Sequence, residues 1–590
     1  VVDPAACKAA PGFPGWPTDE EWANYNKSVG GRLIQPSPPG AMCHLGQPTF
    51  DPCRCSKVAA GWRTSEFHQD DPVSSMVNQY ANDTCLPLPE YPCSSAGYPA
   101  FVVNATTAEH IKTSLIFARE HNIRVVVRSS GHDFQGRSTA PGALSIWIHH
   151  MQAIETRASS FRPQLCPFTI DGNTVTVAGG AQMGTVYEEL AKINQTVVGG
   201  ASKTVAVGGY LTGGGHSILA PRYGLGADQV LEMEVVTPMG NIVVANECQN
   251  QDLFWAMRGG GGSTFGVMTS VTMLTYPSPS MLRVYLYIAS PEAGKGWFWD
   301  MVGYMLSQFP YLDRNGISGY STAHPNMSVD VNGSKIHADV WDGSFVLTDT
   351  DDPAKMSTIW EPILDHVRKA WPEAIIIPAL NITVFRTYLD YFHDAHDEGT
   401  FSGLDQYAGS RLLDASSLAA ADPSELGQAF EALSSPSGYG TAFLVTGSGM
   451  RNAKPRGGGN AVSPAFRKSV VYATNGVTFP PLNTRAREEA LVQVNDAMEP
   501  LRKLSPGMGA YVNEDNPGRP DWQNEFWGEN YDRLVQIKRA VDPEDVLWCH
   551  PCVGNERWRE IGSRLCRVDH ASEETFQHDG LGLMGCSAGL

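Results

Sequence analysis

Apolar positions along this chain switch repeatedly between the two-residue period of strands and the three-to-four-residue period of helices. Phe101-Val102-Val103 predicts a strand, Thr106-x-x-Glu109 a capped helix start, and Ile111, Leu115 and Ala118 one apolar face of the helix that follows. The β-branched run at 124–128 predicts the returning strand. Further strands are expected at 143–148 and 174–178, and a helix at 184–194 carries Val186, Leu190 and Ile193 on one side. Residues 233–245 read as a hairpin turning at Met239-Gly240-Asn241, then a short helix at 251–257 and a strand at 265–274. Pro277-Ser278-Pro279 marks a boundary. Beyond it, strands at 282–289, 336–340 and 467–479 mix with helices at 291–312 and 353–371. Before residue 95 the pattern predicts only two short helices, one opened by Thr18-x-x-Glu21 and one near 73–80.

Chemistry concentrates where two of these strands end. The first gives way to Arg128-Ser129-Ser130-Gly131-His132-Asp133, so a buried strand delivers backbone N–H groups and hydroxyls to a turn that suits an anion. The second site is 205–217, where Gly208, Gly209, Gly213, Gly214 and Gly215 are followed by His216 and Ser217; glycine there lets backbone approach a ligand closely. Neither this run nor Gly259–Gly266 spells Gly-x-Gly-x-x-Gly or ends in Gly-Lys-Ser/Thr, which disfavours a Rossmann or P-loop nucleotide site.

Together with Tyr223-Gly-Leu-Gly-Ala-Asp-Gln-Val230, the Asp252–Gly266 stretch, Tyr511-Val512-Asn513 and Val541-Asp-Pro543, these segments resemble the vanillyl-alcohol oxidase / p-cresol methylhydroxylase (PCMH-type) family, in its berberine-bridge-enzyme-like branch with secreted fungal members. The resemblance implies an α+β fold: a two-part PCMH-type FAD-binding domain and a substrate domain whose antiparallel sheet is covered by helices. It divides the chain into a Cys- and Pro-rich extension (1–94), the FAD-binding domain (95–280), the substrate domain (281–505) and a return to the FAD domain with a cysteine-rich tail (506–590). It further implies FAD bonded covalently to His132, with contacts from Arg128, Ser129, Ser130, Gly131, Asp133, the glycine run through Ser217, Asp228, Gly262, Ser263, Phe265, Gly266, Val267 and Asn513. Where many relatives carry a second linking cysteine, this chain has Ser202, so a single link is expected. Val205 takes the position that goes with oxygen access in oxidases. Tyr472 and Tyr511 are the leading candidates for a base, with Asp339, Tyr407 and His393 behind them.

Composition narrows the partners. A formal charge of −19 argues against nucleic acid or an anionic membrane surface and leaves small neutral substrates open, while O2 as a partner is what the resemblance implies. Twelve cysteines, six of them before residue 94, and Asn-x-Ser/Thr sequons at Asn26, Asn82, Asn104, Asn194, Asn326, Asn332 and Asn381 point to an oxidising compartment and N-glycans. With a start at Val1, the expectation is a processed, soluble, secreted protein. Cys53-Arg-Cys55 is too tight to bridge to itself, so each is expected to pair elsewhere. The Arg451–Gly459 stretch reads as a flexible basic loop, facing solvent or rimming the site.

Three patterns are set aside. Gly585-Cys-Ser-Ala-Gly589 has no helix after its serine, Cys549-His-Pro-Cys552 suits a structural disulfide better than a redox motif, and His393-Asp-Ala-His-Asp397 lacks zinc-site spacing. No metal is expected. The expected activity is that of an FAD-dependent oxidase that takes hydride from CH–OH of an alcohol or secondary metabolite and gives H2O2. Carbohydrate oxidation, ring-forming metabolite oxidation and a non-catalytic flavin-carrying protein are its rivals.

Overall fold

The computed structural model describes residues 7–331, 334–396, 402–420 and 422–568. The α+β fold has three principal sheets. A four-stranded sheet runs Leu33–Ile34, Phe101–Asn104, Leu144–Trp147, Val125–Arg128. Its last three strands are parallel because the helix Ala108–Glu120 carries the chain back between them. An antiparallel sheet of five strands follows, ordered Ile242–Asn246, Val230–Val236, Val267–Leu274, Thr174–Ala178, Ile154–Arg157. Gly240, at φ +83°, turns the predicted hairpin.

From Met281 the chain builds a seven-stranded antiparallel sheet whose order is Ile375–Phe385, Met281–Ala289, Ser334–Thr348, Ile317–Val331, Gly440–Leu444, Ser469–Thr478, Gln406–Asp414. The helices Gly296–Ser307, Pro353–Ala370, Pro423–Ser434 and Thr484–Leu504 cover it. Phe298, Trp360, Phe430 and Met498 from these helices pack with Trp341 and Phe345 of the sheet in one core. The chain then leaves this sheet, and Trp527, Leu534 and Ile537 join the core that also holds Val177, Leu211 and Val271.

Several local expectations are corrected. The helix predicted over 291–312 is two helices, Gly296–Ser307 and Phe309–Arg314, because Pro310 lacks the N–H to continue the ladder and sits in the first turn of the second. Thr107, not Thr106, caps Ala108–Glu120, its Oγ1 accepting from His110 N–H at 3.3 Å. No α-helix forms at 73–80. Asp71 Oδ1 accepts from Val73 and Ser74 N–H, Val77 bridges to Leu404, and only a 3-10 turn at Asn78–Ala81 remains. The extension instead holds helices at Pro52–Gly61 and Ser65–Asp70, capped by Asp51 and Thr64.

Disulfides join Cys7–Cys566, Cys43–Cys55, Cys85–Cys93, Cys166–Cys248 and Cys549–Cys552. Cys55 pairs elsewhere as expected, but Cys53 is an exposed free thiol among the described residues. Cys586 and the Gly585–Gly589 pattern lie outside them. The basic loop is pinned rather than free: Arg451 pairs with Asp313, Arg456 with Glu247, and the Arg456 and Gly459 carbonyls accept from the Arg258 guanidinium.

Candidate active site

Three segments distant in sequence meet through hydrogen bonds. Ser130 Oγ accepts from Ala206 N–H at 3.2 Å, which ties the turn after the Val125–Arg128 strand to the start of the short helix Val207–Thr212. From the same turn, His132 Nε2 lies 2.6 Å from Thr204 Oγ1. Asp133 grips Arg137, which donates to Asn513 Oδ1 at 3.1 Å. Asn513 Nδ2 in turn donates to Tyr511 Oη (2.9 Å) and to the Gly209 carbonyl (3.4 Å), so the C-terminal return closes over the glycine run.

The glycines have distinct reasons to be there. A Cβ on Gly213 would stand 2.1 Å from Asn513 Nδ2, and one on Gly208 2.7 Å from the Gly179 carbonyl. Gly214 and Gly215 have φ of +117° and +76° and turn the chain so that His216 faces the return segment. Gly209 is exposed, with nothing near its Cβ position.

His216 Nε2 donates to Glu514 Oε1 at 3.0 Å, and Tyr472 Oη, from the strand Ser469–Thr478, donates to Glu514 Oε2 at 2.7 Å. Tyr472 and Tyr511 flank the His216 ring at centroid distances of 5.5 and 5.4 Å. Burial raises the Glu514 carboxyl, but the His216 charge and the two hydrogen bonds outweigh it and hold the group below the usual carboxylate range. Burial and the adjacent Glu514 push the Tyr472 phenol well above its ordinary value, and burial raises Tyr511 too. Thus Glu514 is the ionised member and the tyrosines stay neutral. Its side chain remains 30% exposed.

Burial, with the charges of Arg128 and His68, drives the His132 imidazole down to about 4 against the pull of Glu66, so it is neutral near pH 7.

A family model described as an FAD binding domain matches residues 99–246, and one described as berberine and berberine like matches 510–554. The crystal structure of the VAO-type flavoprotein MtVAO713 from Myceliophthora thermophila C1 superposes with a TM-score of 0.87 at 28% identity, covering 95% of this chain and all of that one. Berberine bridge enzyme shares the fold, with a TM-score of 0.59 at 16% identity over 77% of this chain and 90% of its own. FAD-linked oxidoreductase apf9 of Gibberella fujikuroi is 32% identical over 579 residues, 96% of this chain and 97% of that protein. The chain belongs to the VAO-type, berberine-bridge-like family of FAD-linked oxidoreductases.

The residues of this oxidoreductase fit FAD. Gln135 Nε2 and Oε1, Arg137 Nη1 and Thr139 Oγ1, all in the loop after His132, are buried without a protein partner, as a polar ligand's site requires. His132, Asp133, Gly209 and His216 join the same segments through the bonds above, Ser202 Oγ lies 3.4 Å from Thr204 Oγ1, and Ser129, Gly131 and Val205 are their chain neighbours. Ser217 Oγ accepts from Leu219 N–H and fixes the end of the run.

Other residues expected at the cofactor also make contacts within the protein. The Arg128 guanidinium, lowered to about 10 by burial, donates to the His68 and Ser74 carbonyls of the N-terminal extension. Asp228 is held by Arg467 and Asn460. The Gly262 and Ser263 carbonyls lie 3.7 and 3.6 Å from the disulfide-bonded Cys549 sulfur, Phe265 is core, and a Cβ on Gly266 would strike Val235 beside buried Val267. Asp339 accepts from Gly294 and Asn326 N–H, Tyr407 from Arg487, and His393 is exposed, so none of these joins Tyr472.

Glu514 was not singled out from sequence. The Tyr511–Glu514 turn, closed by Glu514 N–H to the Tyr511 carbonyl at 3.1 Å, brings it back beside Tyr511, where simple alternation would send it to the opposite face. The signal was an acidic residue directly after the Tyr-Val-Asn motif.

Proposed function

We propose that this protein is a secreted oxidase that takes hydride from the CH–OH carbon of an alcohol or secondary metabolite to FAD linked once, at His132, with O2 as final acceptor and H2O2 as product. The observation that carries it is the Glu514 carboxyl, bonded at once to Tyr472 Oη at 2.7 Å and to His216 at the end of the glycine run at 3.0 Å. FAD, when bound, supplies the two-electron acceptor. Tyr472 Oη receives the substrate hydroxyl proton as its own passes to Glu514 Oε2, and the alcohol carbon becomes a carbonyl. His216 holds Glu514 ionised until then. Serine at 202 in place of a thiol supports a single link, and Val205 supports oxygen access. Exposed sequons at Asn82, Asn194, Asn326 and Asn381 and five disulfides among the described residues support secretion with N-glycans.

Mass spectrometry of the tryptic peptide around His132 tests the linkage, with one FAD adduct on His132 and an unmodified Ser202 expected. A panel of alcohols, sugars and phenols assayed for H2O2 tests the reaction. A flavin reduced by substrate but indifferent to O2 would make the protein a dehydrogenase, and one that no substrate reduces would make it a flavin-carrying binder.

A further inference from the structure

Behind the His132 ring lies a second feature, supplied by the N-terminal extension. His132 Nε2 is 2.6 Å from Thr204 Oγ1, Thr204 Oγ1 is 3.0 Å from Ser65 Oγ, and Ser65 Oγ is 3.3 Å from Glu66 Oε2. Ser65 and Thr204 are buried, and Glu66 keeps 40% of its side chain open beside Lys203, whose Nζ is 2.7 Å away. Ser65 opens the helix Ser65–Asp70, capped by Thr64, so the helix start fixes where its hydroxyl points.

The carboxylate end sets every direction in this chain. An ionised carboxylate only accepts, so Ser65 donates to Glu66, Thr204 donates to Ser65, and Thr204 Oγ1 is left to accept from His132 Nε2–H. The imidazole is therefore held with its proton on Nε2 and a lone pair on Nδ1. Burial raises the Glu66 carboxyl while Lys203 and Ser65 lower it further, leaving it ionised near neutral pH.

We propose that Glu66, Ser65 and Thr204 form a proton relay that prepares His132 Nδ1 for covalent attachment to FAD and removes the Nε2 proton as the bond forms. The inference rests on the single His132 link proposed above. A neutral imidazole bonded to carbon through Nδ1 has no place for the Nε2 proton, and the relay gives it a route to Glu66. In the net reaction a C–N bond forms, a methyl C–H bond of the flavin and the Nε2–H bond break, and two hydrogens leave with two electrons to O2 as H2O2. Ser65, Glu66 and Thr204 position and deprotonate; none touches the reacting carbon. The charged and titratable groups that face the relay are Lys203, His68 and Arg128.

The test compares wild type with Glu66→Gln, Thr204→Val and the conservative Thr204→Ser, all as full-length protein. The fraction of flavin that stays with the chain after acid denaturation and its rate of incorporation are measured from pH 4 to 8. Wild type is expected to be fully linked. Glu66→Gln and Thr204→Val are expected to carry mostly releasable FAD and to link at least tenfold more slowly, while Thr204→Ser restores linkage. The wild-type rate is expected to fall as pH drops through the lowered Glu66 value and the His132 value of about 4, and Glu66→Gln is expected to keep only the His132 limb. Full linkage at the wild-type rate in both disruptive variants would overturn the relay and leave the His132 link standing. Wild type with no His132 adduct would overturn both.

Discussion

At the scale of single residues, the proposed reaction turns on Glu514. A phenol raised as far as Tyr472 cannot serve as a base on its own near neutral pH, whereas an ionised carboxylate 2.7 Å away can accept its proton. Glu514→Gln and Tyr472→Phe are each expected to slow anaerobic flavin reduction by substrate roughly 10²–10⁴-fold, the usual weight of a general base, with the covalent flavin retained. Stopped-flow absorbance reads this directly. Because the Glu514 value is depressed, the base form is present above the ordinary carboxylate range, and the wild-type rate is lost only as pH falls through the lowered value. A wild-type acid limb that persists in Glu514→Gln would assign it to another group. The position of Tyr472 on a central strand was legible from its apolar run. That of Glu514 was not, since a four-residue turn rather than a periodic element sets it.

At the scale of elements, close approach explains what composition left ambiguous. Glycine clusters alone signify turns as readily as ligand sites. At Gly213 the φ of −89° is open to any residue, and only the Asn513 side chain 2.1 Å from the Cβ position demands glycine. Gly213→Ala is thus expected to displace Asn513, loosening Arg137 and Tyr511 with it, and to lower flavin content at little cost to the fold; the flavin-to-protein absorbance ratio checks this. Asp228 illustrates the opposite case, a motif residue whose chemistry is structural. It takes both Arg467 Nη atoms at 2.7 Å and fastens the 451–467 loop of the third sheet's domain onto the FAD-binding half. Breaking a buried pair costs about 3–5 kcal/mol, and the partial exposure of Arg467 reduces this to about 1–3 kcal/mol for Asp228→Asn. Faster proteolysis within 451–459 and a lowered melting temperature are the expected readouts. The β-α-β start, the 233–245 hairpin and both glycine loops were legible because each obeys a local rule. The break at Pro310 was overridden by an apolar stripe that continues across it.

At the scale of the whole molecule, the extension turns out to be a strap. Residues 76–83 bridge in parallel to Leu404, receive the Gly403 N–H and exchange bonds with Gln406, while Tyr80 Oη donates to the Phe134 carbonyl two residues after His132. Sequence offered no sign of this, because the partners at 403–406 lie more than 300 residues away and the strap has no periodicity. Its anchor is a carboxyl pair: Asp83, which accepts from Leu482 N–H at 3.1 Å, and Asp405, both buried with one oxygen each lacking another partner. Burial, and then the charge and hydrogen bond of Asp83, push Asp405 up to about 8, against the pull of Arg487 and Asn78. The folded protein therefore keeps a proton that the unfolded chain releases near the ordinary aspartate value of 3.8. Stability from this pair is full below that value, declines as pH rises towards about 8, and is flat above it. Asp405→Asn keeps the shape and removes the titration, so it is expected to flatten the decline between those two values and to melt higher than wild type at pH 8. Melting curves at intervals across that window check the claim. Equal slopes in the two proteins would show that the strap is held by its backbone bonds alone.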